Sequence, residues 1–543
     1  MTEIVTEQTP PVLQGPSDKE KKYDRQLRLW AASGQAALEN ANLLLLNSGS
    51  GTVGVETLKN LVLPGIGKFT IADDALVHEA DLGVNFFLDE ESLGKSRAER
   101  CVKLLQELNP DVKGDWYPKL KDDKMDQVFE ADQPEKYTLI IYSFPIDPKI
   151  LALAEKYSTA YKVPLVSIHS AGFYSYFQTH LPGNFPIVET HPDSTATTDL
   201  RLLKPWPELS SFAADLTKNI DDLSDHEHGH IPYLILLLHF LGKWKEKHGS
   251  YPSTYPEKVQ FRATVSNGAR RNNPEGGEEN FDEAAAAVVK NVSIRGLESS
   301  VREIFDCKPA KDSESESDFW IIADAVKSFF EKHQDLPLPG SVPDMKAQSD
   351  IYVQLQNIYK AKARQDVQEV LEIVRSHPHG KDIKVEEVEL FCKNAAFIKL
   401  IRGLDSTEDL QKIANSEFEN DKNASLTMMP LSNFPIYLAL RATSSVPSAT
   451  ASEILAQIDK EIPNASSNPR VSKIAEEVAR AKGGELHNIS SLTGGMVAQE
   501  IIKIITKQYV PIDNTCIFDG ITSRTQVLRI SEPTKAAGSK TSE

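Results

Sequence analysis

Two hydrophobic periods alternate along residues 23–185. Residues 23–40 space Leu27, Trp30, Ala37 and Leu38 along one face of a helix. Residues 43–47 are a short apolar run, which predicts a parallel-sheet strand covered on both faces. A glycine turn follows at 49–54, then a helix over 53–63 stopped by Pro64-Gly65. The next strand spans 68–72 and ends in Asp73-Asp74. A helix over 96–109 is closed by Pro110, and apolar strands stand at 138–143 and 165–168. Strand and helix in turn predict a doubly wound α/β domain.

The pattern changes after about 185 and reads mostly helical to about 480. An apolar run at 231–241 contains His239 and is too short to span a bilayer, so it predicts a buried helix. Segments 267–280 and 308–318 are charged and lack apolar periodicity, which predicts mobile loops. From Leu486 the first pattern returns, with a helix over 492–505 opening at Gly494-Gly495 and strands at 516–519 and 525–530. The predicted organisation is a polar, disordered tail at 1–20, a first α/β part at 21–185, a helical insertion at 186–484, a second α/β part at 485–531 and a tail at 532–543.

Composition narrows the function. The 543 residues carry 78 acidic and 60 basic side chains, a formal net charge of −18. Nucleic-acid binding needs a basic face, so it is disfavoured. The N-terminal stretch has no apolar core of a signal peptide. Four scattered cysteines (Cys101, Cys307, Cys392, Cys516) form no CxxC pair, which predicts a reducing compartment, cytoplasmic or nuclear, and no cysteine-type zinc site.

Gly49, Gly51 and Gly54 match GxGxxG between a strand and a helix, where backbone can approach a phosphate at a helix N-terminus. Asp73, at the end of the next strand, stands at the spacing of a ribose-binding carboxylate. Gly94-Lys95-Ser96 is no P-loop, because its first glycine position holds Asp89. His226, His228 and His230 (HEHGH) precede a helix with no completing ligand pattern, so a capping or surface role is expected rather than a metal. Arg25 and Arg28, read from spacing alone, lie on the solvated face of a helix.

Longer segments carry a resemblance. KYDRQLRLW, ALENANLLLLN, LKNLVLPGIGKFTIAD, DLGVNFF, GKSRAE, ETHPD, DLRLLKPWPEL and GGMVAQEIIKIITKQYVP together resemble the activating enzymes of ubiquitin-like proteins, in the ThiF/MoeB superfamily. More narrowly they resemble the regulatory-subunit branch of the neddylation activating enzymes, the auxin-resistance type in plants, from about 20 to 530. The resemblance implies a Rossmann-like adenylation fold split by a mainly helical domain. It also implies a heterodimer in which the catalytic subunit binds ATP and magnesium, adenylates a cullin-modifying ubiquitin-like protein and forms the thioester. A conjugating enzyme is a further implied partner; nucleic acid and membrane are not.

The active half of that family carries NLxRQ, a lysine in GxxKA, a magnesium-binding aspartate and a catalytic cysteine. Here the corresponding positions read Asp81-Leu82-Gly83-Val84-Asn85-Phe86-Phe87, Arg97 and Ser143-Phe144-Pro145, and neither Cys307 nor Cys392 has the expected context. Adenylation builds negative charge that arginine, lysine and a metal stabilise. The departures therefore imply no catalytic residue, no metal and no cofactor of its own, with the loop vestigial. Arg25 matches the arginine that reaches in trans into the partner's ATP site, and Arg28 is the weaker candidate. The alternatives are a self-sufficient homodimeric ThiF/MoeB-like adenylating enzyme and an NAD-binding oxidoreductase using Gly49, Gly51, Gly54 and Asp73.

Overall fold

The computed structural model describes residues 15–120, 122–130, 136–193, 199–272, 276–293, 296–307, 317–402 and 410–530. The chain divides into two compact units, one of 1–187 with 401–543 and one of 188–400. In chain order the first unit begins with α1 (Asp18–Lys22), α2 (Asp24–Glu39), β1 (Asn42–Leu46), α3 (Thr52–Val62), β2 (Lys68–Ala72), α4 (Glu79–Leu82) and α5 (Arg97–Leu108). It continues through β3 (Lys113–Tyr117), β4 (Leu139–Ser143), α6 (Pro148–Tyr161), β5 (Leu165–Ala171), β6 (Tyr174–His180) and β7 (Asn184–Val188). The second unit holds α7 (Pro207–Thr217), α8 (Asp225–His228), α9 (Tyr233–His248), α10 (Tyr255–Ser266), α11 (Glu279–Asn291), α12 (Ser299–Asp306), α13 (Asp318–His333), α14 (Ser349–Ser376) and α15 (Val385–Lys393). The chain returns through β8 (Ile398–Arg402) to α16 (Leu410–Thr427), α17 (Phe434–Ala442), α18 (Ala451–Glu461), α19 (Pro469–Ala481), α20 (His487–Thr506), β9 (Thr515–Asp519) and β10 (Arg524–Leu528).

The first unit is built on an eight-stranded sheet of order β10-β9-β6-β5-β4-β1-β2-β3. The five strands from β3 to β5 pair in parallel, and β6, β9 and β10 extend the sheet antiparallel. Strand order reverses at β1, so the crevice beyond the ends of β1 and β4 is the switch point where doubly wound sheets bind ligands. The leucines of β1 are buried on both faces, as an all-apolar central strand requires. One apolar layer joins β1 and β2 to α3, α5 and α20; a second joins the opposite face to Tyr137, Ala154 and Val163. The run around 231–241 becomes α9, the centre of the second unit's core with Phe261, Phe281 and Tyr359.

Three expectations need correction. Residues 401–484 belong to the first unit, not to the insertion, because Phe434, Ile436, Tyr437 and Ile474 pack with Tyr174, Tyr176 and Ile517 of the sheet. The tail expected at 1–20 is ordered from Ser17, whose side chain and Glu20 form a capping box on α1; residues 1–14 and 531–543 lie outside the described residues. Gly494 and Gly495 do not open the last helix. They sit inside α20, and a Cβ on Gly494 would stand 2.8 Å from the Thr57 nitrogen, so this glycine lets α20 lie directly on α3.

Candidate functional site

The glycine loop has the expected geometry. Gly49 and Gly51 take positive φ (60° and 67°), and Gly51 is the N-cap of α3. Asn47 lies beneath the turn: a Cβ on Gly51 would stand 2.4 Å from its side-chain nitrogen, and one on Gly54 2.6 Å from its oxygen. These glycines are needed for the close packing of the loop on Asn47, whatever the loop binds.

The surroundings of the loop are filled by the chain itself. Arg97, at the start of α5, is buried and donates from Nε to Asp73 Oδ2 (2.7 Å) and from Nη2 to Asp73 Oδ1 (3.1 Å). Its Nη1 donates to the Gly49 carbonyl (2.8 Å) and lies 3.4 Å from Asp81. Burial alone would depress this guanidinium, but the charge and hydrogen bonds of Asp73, with Asp81, outweigh it and raise it. Asp73 also accepts from Asn47 Nδ2 (2.9 Å) and the Ala75 N–H (3.0 Å). Asp73, which stands at the spacing of a ribose-binding carboxylate, is thus the partner of Arg97.

The N-terminus of α3, where a phosphate would be held, faces Glu485. Its carboxylate accepts the Val53 N–H (2.8 Å) and the Ser490 hydroxyl (2.5 Å), and it also reaches the Thr52 N–H. Burial pushes the Glu485 carboxyl up to about 7 against the pull of those donors and of Arg97. Sequence reasoning missed Glu485 altogether. The Gly483-Gly484 pair preceding it, with Gly483 at φ 73°, was the available signal of a tight approach.

The segment that replaces NLxRQ folds against the same corner. Phe86 stacks on His487 with ring centroids 3.6 Å apart, and His487 Nδ1 lies 3.0 Å from the Val84 carbonyl. At the end of β4, Ser143 bonds Ser48: its Oγ accepts the Ser48 N–H (3.0 Å), and its carbonyl accepts the Ser48 hydroxyl (2.8 Å).

Arg25 and Arg28 sit on α2, and neither bonds a member of this cluster of side chains. Tyr23 and Trp30 are the buried anchors of that helix, which kinks at Trp30-Ala31. Arg25 is exposed and has no hydrogen bond or ion pair among the described residues, whereas Arg28 pairs with Asp24 (2.9 Å).

The histidine cluster is divided. His226 and His230 lie ring to ring at 4.2 Å, while His228 is buried with its Nδ1 2.8 Å from Glu278. This corrects the surface reading of His228 and ties Arg270, Glu278 and Asn280, at the flanks of the 267–280 segment, to fixed partners. Glu278 also accepts the Arg270 N–H (2.6 Å), and Asn280 donates to the carbonyls of His228 and Ile231. Residues 273–275 and 308–316 lie outside the described residues. All four cysteines are free thiols; burial pushes those of Cys101, Cys392 and Cys516 up to about 12, and Cys307 is half-buried. Among the described residues no group of three or more His, Cys, Asp or Glu could hold a metal, and no helix is long and apolar enough to cross a membrane.

The ThiF family model matches residues 23–539. The chain is 36% identical over 534 residues to the NEDD8-activating enzyme E1 regulatory subunit of Xenopus laevis, covering 93% of this chain and 97% of that protein. It is 32% identical over 539 residues to the regulatory subunit AXR1 of Arabidopsis thaliana, covering 94% and 96%. Among solved structures, E. coli MccB matches at 18% identity over 30% of this chain and 49% of that one, with a TM-score of 0.26, too slight to carry an argument. By the family model and by relatives matched along nearly their full length, the chain belongs to the ThiF family and, within it, to the NEDD8-activating enzyme E1 regulatory subunits.

Proposed function

We propose that this chain is the non-catalytic half of a heterodimeric activating enzyme for the cullin-modifying ubiquitin-like protein. Its catalytic partner would bind ATP and magnesium, adenylate the modifier and form the thioester. This chain would build half of the dimer and lend Arg25 to the phosphates in the partner's site. The conjugating enzyme would then collect the modifier in the same reducing compartment, cytoplasm or nucleus.

The observation that carries this reading is the internal occupancy of the glycine loop. A carboxylate, Glu485, already satisfies the N–H groups that would bind phosphate, and Arg97 is committed to Asp73. A nucleotide's phosphates would have to displace the buried Glu485 side chain from the Val53 and Thr52 N–H groups it occupies. The self-sufficient homodimer and the nicotinamide-dependent oxidoreductase both require that loop to be open, so the same observation weighs against both.

Arg25 fits a role in trans because it is exposed and uncommitted on a helix held rigidly at Tyr23 and Trp30. A planar, doubly donating guanidinium suits a phosphate. Modifier-dependent ATP–pyrophosphate exchange tests this, run on this chain, on the catalytic subunit and on the mixture. Exchange is expected only in the mixture, and Arg25→Ala is expected to lower it by on the order of 10²-fold. Exchange by this chain alone would overturn the reading.

A further inference from the structure

A groove in the second unit points to a binding site separate from the glycine loop. Its wall is a strap at 336–343, with Pro337, Pro339 and Pro343, that lies outside any helix or strand. The strap is pinned at both ends. Buried Asp366 of α14 accepts the Leu338 N–H (2.9 Å) and the Lys362 ammonium (2.8 Å), and the Tyr352 hydroxyl donates to the Pro343 carbonyl (3.4 Å). Between the pins Gly340 takes φ 76° and lies so close to α14 that a Cβ would stand 2.6 Å from that of Ala363. The N–H groups of Gly340, Ser341 and Val342 have no hydrogen-bond partner among the described residues.

Strap, α14 and α15 border an open groove of about 610 Å³. Its apolar lining comes from Val342, Val367, Leu371 and Val385. Its rim carries Lys360 and Arg364, one turn apart on α14, and Lys393 at the end of α15, against a single carboxylate, Glu389. None of the three cations has an ion pair or hydrogen bond among the described residues. In a chain with 78 acidic and 60 basic side chains, three uncommitted cations around one groove are a local inversion of charge.

We propose that this groove docks an extended acidic peptide segment carrying aliphatic side chains. The peptide backbone adds along the free edge at 340–342, its carboxylates meet Lys360, Arg364 and Lys393, and its aliphatic side chains enter the groove. The pinned strap lowers the ordering cost of binding.

Fluorescence anisotropy on the full chain tests the site. The probe is a labelled eight-residue peptide alternating Glu or Asp with Leu or Val, and its counterpart has Lys at each acidic position. Saturable binding of the acidic peptide alone is expected, weakening with salt. The triple variant Lys360→Glu/Arg364→Glu/Lys393→Glu, at exposed positions that leave the fold intact, should weaken binding by roughly tenfold or more. Ser341→Pro, which removes one edge N–H, should weaken it independently. Equal binding of the basic peptide, no binding of the acidic one, or binding indifferent to the triple variant would overturn the proposal.

Discussion

Glu485→Gln should change how stability depends on pH. The carboxyl lies fully buried at the N-terminus of α3, and burial raises it from 4.5 to about 7. A raised carboxyl means that the folded chain holds a proton that the unfolded chain has already released. Stability therefore falls as pH rises from about 4.5 to about 7 and does not recover above it. At about 1.4 kcal/mol per pH unit, that window is worth about 3 kcal/mol. Glutamine stays neutral throughout. It keeps an oxygen to accept the Val53 N–H and the Ser490 hydroxyl, but its second amide hydrogen costs about 1 kcal/mol if it finds no acceptor. The variant should thus match the parent within about 1 kcal/mol at pH 5 and exceed it by about 2 kcal/mol at pH 8. Because the chain has two units, a single unfolding midpoint is a poor measure. The protection of the α3 amides against hydrogen exchange, taken as the ratio of variant to parent protection factors at each pH, cancels the intrinsic pH dependence. A rise of one to two orders of magnitude in that ratio between pH 5 and 8 is expected. Parallel protection at every pH would refute the assignment of Glu485 as a buried group titrating near neutrality.

Two further substitutions probe the frame around the site. Gly494→Val places a branched side chain against the backbone of α3 at 2.8 Å and should destabilise by about 3 kcal/mol, whereas Gly495→Ala, with nothing within 4 Å, should be neutral or slightly stabilising; hydrogen-exchange protection of the α3 and α20 amides distinguishes them. Glu278→Ala removes the shared acceptor of His228 and the Arg270 N–H and should cost about 3 kcal/mol, with Glu278→Gln recovering part of it, as read from the thermal midpoint of the second unit.

The sequence exposed what local pattern encodes and hid what distance in the chain encodes. β1, β2, β4 and β5 were legible because both faces are buried and the runs are apolar. β6 was not, since Ser175, Gln178 and Thr179 interrupt its apolar residues. These polar side chains bond partners more than 300 residues away: Ser175 to Thr493, Gln178 through its Nε2 to Ile530, and Thr179 to Ile512 and Asn514. The helices of 410–481 were recognised as helical, but an amphipathic stripe does not say which sheet it covers. Within the site, the glycine loop was legible and its occupant was not. Val53 and Glu485 are 432 positions apart, and Arg97 read as a lost lysine rather than as the partner of Asp73.

Retention of all three glycines beside a filled site has a structural cause. The first N–H groups of a helix have no partner within it, and a buried helix start without an acceptor is costly. In a nucleotide-binding relative of this fold, phosphate can supply that acceptor. Here Thr52 and Val53 are buried, so something in the chain must replace the phosphate, and Glu485 does so from the segment that re-enters the fold just before α20. Gly51 and Gly54 remain because Asn47 beneath the turn, bonded to Asp73, leaves no room for a Cβ at either position. The GxGxxG pattern therefore reports how closely the loop packs on β1 and α3. Arg97 and Glu485, outside the motif, bond the Asp73 carboxylate and the first N–H groups of α3.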